Sequence, residues 1–505
     1  MLDFGRIGTE IDDAIHRIKD FRICFARIPG EWCINRETRE IAKLPDSKTT
    51  ARPQDNVLST MTLSWNEVAR KLFGQIIAND QARDGSGISL LRHGKDAFAA
   101  RALLARAAQR TLDVQYYIWH DDLSGFLMLD ELISAANRGI KVRLLLDDNG
   151  IPRMDDRLAA LAAYENVEIR LYNPFRIRWP KPVNWLFAFH RLNHRMHSKS
   201  FTVDGAVTII GGRNIGDEYF AAKKKGFWVD LEVMARGGIV KDAQAAFERC
   251  WTSPRTQKLM DVIRPVSKRR RRALIKGTAA LAESSKARDY LEEVEAAPLF
   301  QDIDGGNFSF RQADLRLVDH DPRNDGPVRA VHTGLAQILP QGLGDIKGEL
   351  DIISGYFVPT EEGTRDLVRL ARNGVTVRIL TNCYASTDVG FVHAGYAPYR
   401  RALLEAGVQL FEMPAPEDKP RTTRKFVRPG SRLARAAREP GTTLHAKAFA
   451  VDRTRLYIGS ANFDPRSAHL NTELGLIIDS PELAALMSGL FDREIASNSY
   501  RVVLD

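Results

Sequence analysis

The chain has 505 residues, 44% apolar and 27% charged, enough for two to four domains with cores of their own. Its formal charge of +9 and pI near 9.3 admit an anionic partner, lipid surface or nucleic acid alike. No run reaches the roughly 18 apolar residues of a membrane span, and the charged opening segment lacks the apolar core of a signal peptide. Cys24, Cys33, Cys250 and Cys383 show neither C-x-x-C nor metal-like spacing, which suits a reducing compartment.

Residues 1–85 read as a partly helical N-terminal extension. Within it Leu63, Val68, Leu72 and Ile76 recur at helical spacing and predict a packing helix over 63–77, with an in-plane membrane helix as the alternative. Residues 86–255 predict a first α/β domain: a strand over 114–119, a helix over 126–139 closed by Gly139, and strands over 140–148 and 167–172. Residues 175–195 then mix aromatic, apolar and basic side chains. Trp179, Trp185, Phe187 and Phe189 among arginines suit a membrane interface or ordinary loop packing equally well.

Residues 256–325 form a basic connection, with SKRRRR over 267–272 and a charged helix over 279–296. It reads as a solvated linker or, more sharply, as an electrostatic attachment to anionic lipid. Residues 326–505 repeat the first domain: strand 350–359, helix 364–374, strands 375–382 and 408–413, then an arginine-rich loop over 419–438. The domain is duplicated, and strands separated by helices imply largely parallel sheets covered on both faces.

Each half carries the same short pattern, H-x-K-x4-D-x6-G-[GS]-x-N, at a constant offset. The first copy is His197, Lys199, Asp204, Gly211, Gly212, Asn214; the second is His445, Lys447, Asp452, Gly459, Ser460, Asn462. On a strand, a histidine and a lysine two apart share a face. There an imidazole can attack phosphorus while an ammonium neutralises the oxygens around it. Two copies supply two histidines, one as nucleophile and one as general acid and base. A competing metal reading uses the helix-like spacing of His190, His194 and His197, but the second copy lacks the two extra histidines.

With this duplicated pattern on the page, the sequence resembles the phospholipase D superfamily. Segments YYIWHDD (116–122), LLLDDNG (144–150), HRMHSKSFTVDG (194–205), GGRNIGDEYF (211–220), GYFVPT (355–360), VHAGY (392–396), GSANFDPRS (459–467) and NTE (471–473) look like the bacterial cardiolipin synthases, nearest the type called cardiolipin synthase C. The resemblance implies two phospholipase D-like α/β/α domains related by a pseudo-twofold, with one active site at their interface. It implies that His197 and His445 face each other there, with Lys199, Lys447, Asn214 and Asn462 on the non-bridging phosphate oxygens. By position, Asp230 and Glu473 orient the histidines, fixing their tautomer. Asp204 and Asp452 count with the catalytic set by motif, though a structural part is expected of them, bonding within the turn. His393, Tyr116, Tyr117 and Tyr356 are candidate pocket residues or ordinary core side chains.

The implied reaction is phosphatidyl transfer between phospholipids through a phosphatidyl-histidine on His197, with His445 as acid and base and no metal or other cofactor. Phosphatidylglycerol is the implied donor or acceptor, with phosphatidylethanolamine allowed as its co-substrate. Alternatives are a phospholipase that hydrolyses the same donor, a nuclease of the superfamily, and a non-enzymatic membrane scaffold. The expected partners are phospholipid substrates and the membrane surface, not nucleic acid, and the expected place is the cytoplasm, peripheral on the inner face of the cell membrane. Many cardiolipin synthases begin with two membrane-spanning helices; none is read here.

Overall fold

A computed structural model describes residues 53–80, 86–223, 226, 228–320, 344–414 and 442–504. Most of the N-terminal extension, the boundary between 325 and 326 and the arginine-rich loop over 419–438 lie outside the described residues.

The described residues form one sheet of sixteen strands whose two wings have the same order. Counting outward from the middle, one wing runs Glu232–Arg236, Val207–Gly211, Ser200–Val203, Thr111–Ile118, Lys141–Gly150, Val167–Tyr172 and Thr256–Lys258. The other runs Leu474–Asp479, Arg455–Gly459, Lys447–Val451, Glu349–Ser354, Thr376–Asn382, Gln409–Met413 and Tyr500–Arg501. Strands Ser86–Leu91 and Arg311–Asp319 pair antiparallel and join the wings. One apolar cluster continues across the seam, placing Ile210 and Val233 of the first half with Ile458 and Leu476 of the second.

The sheet is mixed, which corrects the expectation of largely parallel pairing. Three strands in each wing are parallel, as the intervening helices require. Each motif strand instead runs antiparallel to both neighbours. Toward the following strand the cause is local: Asp204 and Gly205, and likewise Asp452 and Arg453, take positive φ, a tight hairpin reversal in place of a helical crossover.

The duplication extends to buried charge. Arg143 pairs across strands with Asp113 at 2.6 Å and reaches Glu248 at 2.5 Å. Arg378 pairs with Asp351 at 2.6 Å and reaches Asp492 at 2.5 Å. In each half one guanidinium therefore clamps two sheet strands to a later helix.

The helix Pro53–Asp80 buries Trp65, Val68, Leu72 and Ile76 in the core. Trp65 packs 4.9 Å from Phe300 and its indole N–H donates to Glu295 Oε1 at 2.5 Å. Val68, Leu72 and Ile76 of its apolar stripe thus face the protein core, which counts against the in-plane membrane alternative. The charged helix expected over 279–296 is two helices, Lys268–Ala282 and Ser285–Glu295, because Ser284 caps the second by accepting from the Ala287 N–H. SKRRRR opens the first of them, which packs on Leu123–Asn137 and Asp155–Leu161 while its arginines stay exposed or half-buried.

The motif aspartates bond across to the adjacent strand, not within their own turn. Asp204 accepts from the backbone N–H groups of Gln109, Arg110 and Thr111 at 2.7–2.8 Å. Asp452 accepts from those of Lys347, Gly348 and Glu349, at 2.7–3.3 Å. Each pins the entry of the strand beside its own motif strand, Thr111–Ile118 or Glu349–Ser354, so the bonds of both carboxylates are architectural. Asp204 is buried and Asp452 is half-exposed. Asp204→Ala is therefore expected to cost roughly 2–4 kcal/mol by stranding three backbone donors, and Asp452→Ala distinctly less. Urea unfolding of both variants checks the order, and an equal or reversed loss would refute it.

Candidate active site

Both motif strands deliver their histidine at the seam between the halves, just ahead of the strand itself. The backbone there is stitched crosswise: the His197 N–H donates to Thr472 O at 3.0 Å, and the His445 N–H to Val229 O at 2.8 Å. A short parallel pair, Trp228–Val229 with Thr443–Leu444, adds a second stitch.

The side chains cross in the same way. His197 Nδ1 bonds Glu473 Oε2 at 2.9 Å, and His445 Nδ1 bonds Asp230 Oδ2 at 2.6 Å. Each imidazole of one half therefore rests on a carboxylate of the other. A carboxylate on Nδ1 selects the tautomer that carries its proton there and leaves the Nε2 lone pair for chemistry.

Further groups hold the carboxylates in place. Ser460 donates to Glu473 Oε2 at 2.5 Å, and Asp230 Oδ1 accepts from the Leu231 N–H at 2.8 Å. Arg213, buried, donates to Asp230 O at 2.5 Å and Leu91 O at 2.8 Å. The Gly-or-Ser position of the motif has a steric reason. A Cβ on Gly212 would lie 2.3 Å from Asp230 Oδ1, whereas the other half uses Ser460 as a hydrogen-bond donor.

The lysines complete the group. Lys199 Nζ donates to His197 O and Lys447 Nζ to His445 O, so each ammonium is tied beside its own histidine. Burial lowers Lys199 to about 7 and Lys447 to about 8, although Glu473 and Asp230 pull the other way. Burial with Lys199 and Lys447 nearby brings His197 down to about 4. Burial, then Lys447 and Lys199, brings His445 down to about 3. Each histidine thus feels the lysine of the other half, and the four groups share one electrostatic site. Against the cost of burial, His445 and Lys447 hold Asp230 well below the usual carboxylate range, and His197 lowers Glu473. At neutral pH both imidazoles are neutral and both carboxylates ionised.

Asn214 is anchored through both ends of its amide: Oδ1 accepts from the Ile118 N–H at 3.1 Å and Nδ2 donates to the Tyr219 hydroxyl at 3.0 Å. One N–H is left over for a ligand. Asn462 is also buried, with its side-chain oxygen unpartnered. Tyr117 stands edge-on to His197 at 5.2 Å and Tyr356 edge-on to His445 at 6.3 Å. Tyr116 belongs to the core, its hydroxyl accepting from Arg101 Nε at 2.7 Å. His393 accepts from Arg400 at 3.0 Å and packs against Tyr384 and Tyr396. The metal alternative loses its geometry: the helix ends at Asn193, and His197 Nδ1 is taken by Glu473.

Sequence reasoning missed Arg213, Ser460 and the two rings beside His445, Trp228 at 4.8 Å and Tyr219 at 5.4 Å. The first two occupy unassigned motif positions, and Trp228 lies two residues before Asp230, so the signal was adjacency to residues already chosen.

A family model described as cardiolipin synthase, PLD-like domain, matches residues 102–251 and 343–495. The chain belongs to this family. It is 42% identical to cardiolipin synthase C of Escherichia coli (strain K12), over 83% of this chain and 87% of the relative. A cardiolipin synthase of Halalkalibacterium halodurans is 28% identical over 80% of this chain and 64% of its own length. Among solved structures, the phosphatidylserine synthase of Haemophilus influenzae Rd KW20 superposes with a TM-score of 0.55 at 16% identity, covering 82% of this chain and 87% of that one. That last likeness speaks for the fold. The two matched segments of the family model cover the two wings of the sheet except their outermost strands, Thr256–Lys258 and Tyr500–Arg501, and each carries one copy of the motif.

The lysines set the pH dependence. An ammonium whose pKa is lowered is present below that value and lost as pH rises through it. The limb of kcat/KM, which reports the free enzyme, should therefore fall between about pH 7 and 8. The limb of kcat should lie higher, because a bound phosphodiester anion favours both ammonium groups. A kcat/KM that stays flat to about pH 9.5 would overturn this assignment.

Proposed function

We propose that the chain is a phosphatidyltransferase that makes cardiolipin, moving a phosphatidyl group from one phospholipid to the hydroxyl of another. The observation that carries this reading is the crossed pair of imidazoles, each seated on a carboxylate of the other half beside a buried lysine, in a chain 42% identical to a cardiolipin synthase C.

In this reading His197 Nε2 attacks the phosphorus of a phosphatidylglycerol donor. A P–N bond forms as the P–O bond to the departing glycerol breaks, and His445 supplies the proton the glycerol oxygen needs. His445 then takes the proton of the hydroxyl of a second phosphatidylglycerol, whose oxygen displaces His197 from phosphorus. Two phosphatidylglycerols give cardiolipin and glycerol; with phosphatidylethanolamine as donor, ethanolamine leaves instead. One phosphodiester replaces another, so no nucleotide is consumed. Lys199 and Lys447, with an N–H from each of Asn214 and Asn462, hold the non-bridging oxygens, and Glu473 and Asp230 stabilise the imidazolium forms.

His445 is neutral in the resting site, yet the first step needs its proton. The substrate resolves this: a phosphodiester monoanion raises the pKa of every basic group around it, so binding draws a proton into the site. The same reading makes the chain a peripheral protein of the inner membrane face; among the described residues no helix is long and apolar enough to cross a membrane.

A donor with an activated leaving group separates the two histidines. With phosphatidyl-p-nitrophenol, His445→Ala should release about one equivalent of nitrophenol in a burst and then stall with the phosphatidyl group on the His197 peptide, while His197→Ala gives no burst. Mass spectrometry that finds the label on His445 of the wild-type enzyme reverses the roles. Phosphatidic acid as the sole product from phosphatidylglycerol vesicles makes the enzyme a hydrolase.

A further inference from the structure

The helical segment Asn184–Asn193, kinked at Ala188 (φ −138°, ψ 28°), leads into the first motif and is apolar on its outer side as well as its inner one. Its inner face carries Asn184 and Leu192, both buried, with Trp185 half-buried against Phe175 at 6.2 Å. Asn184 is fully used there: Oδ1 accepts from the Ile177 N–H at 2.9 Å, and Nδ2 donates to Ile177 O at 2.7 Å and Lys181 O at 2.8 Å. Its outer face carries Leu186, Phe187 and Phe189, which are 78%, 81% and 60% exposed. Trp179 at 87% and Ile177 at 40% extend the patch from the preceding loop. A soluble surface helix carries polar and charged side chains on its outer face instead.

The display is held firmly from behind. Arg178 binds Asp155 with two N–H groups, at 2.5 and 2.9 Å, and also reaches Asp148. Lys181 reaches Asp148 Oδ1 at 2.9 Å, and the Phe175 N–H donates to Asp148 Oδ2 at 2.7 Å. These bonds consume polar groups on the protein side and leave the apolar side chains facing out.

Two further observations say what covers the patch. From residue 174 to 195 the sequence has no aspartate or glutamate, while Arg176 is exposed at its rim. Arg178, Lys181 and Arg195 are spent on Asp148, Asp155 and Asp147, which leaves Arg176 as a cation at the rim; a second copy of the chain would bring the same cation against it, whereas an anionic lipid surface complements it. Past the helix end at Asn193 the chain continues in extended form through Arg195 and Met196 to His197, and Arg466 of the second half holds Asn193 at 2.6 Å. A bilayer seated on this helix would lie next to the phosphate chemistry.

We infer that Trp179, Leu186, Phe187 and Phe189 are the surface by which the enzyme docks on an anionic bilayer, inserting between headgroups and setting the active site against their phosphates. This rests on the phosphatidyl-transfer reading for its purpose but not for its test.

The full chain is compared with Leu186→Glu/Phe187→Glu, whose exposed positions leave the core untouched. The probes are vesicles of phosphatidylglycerol with phosphatidylcholine, vesicles of phosphatidylcholine alone, and monomeric short-chain phosphatidylglycerol. The double variant should lose about tenfold or more in cosedimentation with the anionic vesicles and in activity on them, while activity on the monomeric lipid stays within about twofold. Trp179→Phe should diminish the quenching of wild-type fluorescence by brominated lipid. Unchanged vesicle binding by the double variant overturns the inference. So does a shift from dimer to monomer with vesicle binding intact, since a second copy would then be the occupant. Patch-dependent vesicle binding by a wild-type enzyme that makes no cardiolipin from either lipid form would uphold the docking surface and refute phosphatidyl transfer.

Discussion

Each histidine of the site leans on a carboxylate that the other half of the chain supplies. His197 depends on Glu473 and His445 on Asp230, both across the seam and both out of water. An ionised carboxylate taken from water is tolerated only if other groups replace its hydration. Here an imidazole N–H, a serine or backbone donor and a nearby ammonium share that task. The consequence is mutual: without the second half, Asp230 would be a buried charge lacking its main partner, and His445 would lack its support. The seam is the place where the two halves complete each other, and the apolar cluster that continues through it keeps it shut.

The pseudo-twofold is not exact in its chemistry, and the departures cluster around the reacting groups. Tyr117 has its hydroxyl beside the Asn149 amide at 3.1 Å, a donor, whereas Tyr356 donates to the Asp388 carboxylate at 2.7 Å. Gly212 leaves room for Asp230, whereas Ser460 bonds Glu473. Tyr219 and Trp228 stand beside His445. A reaction that uses one histidine as nucleophile and the other as acid and base needs two unlike environments. An asymmetric shell on a symmetric backbone supplies them, and the proposed division of labour builds on that difference.

Much of this could be read from the sequence because periodicity and motif spacing are local. The strand over 167–172 coincides with Val167–Tyr172, and the helices closed by Gly139 and Gly374 end where glycine permits the positive φ of 87° and 90°. The strand Arg311–Asp319 was missed although Asp314, Leu315, Arg316 and Leu317 alternate in polarity. It lies in a basic stretch that composition assigns to a linker, and only its pairing with Leu474–Asp479 reveals it. The crossed pairs were beyond reach for a different reason. The residues involved were identified, but their partners sit 276 and 215 positions away, and no local pattern says which carboxylate meets which ring.

Burial of the site bears on the choice between transfer and hydrolysis. The groups that tune the histidines do so because they are dry; in water the pull of Lys447 on His197, or of Lys199 on His445, would be screened to little. The same dryness denies the phosphatidyl-histidine an abundant acceptor and favours a hydroxyl that arrives already concentrated in the lipid phase. An enzyme that must keep water out while admitting two phospholipids gains from taking both directly out of a bilayer. On the proposed docking, the apolar helix ahead of His197 would give that exchange a route: the lipids would move from one low-dielectric phase into another, and the headgroups would meet the lysines without the site having to flood.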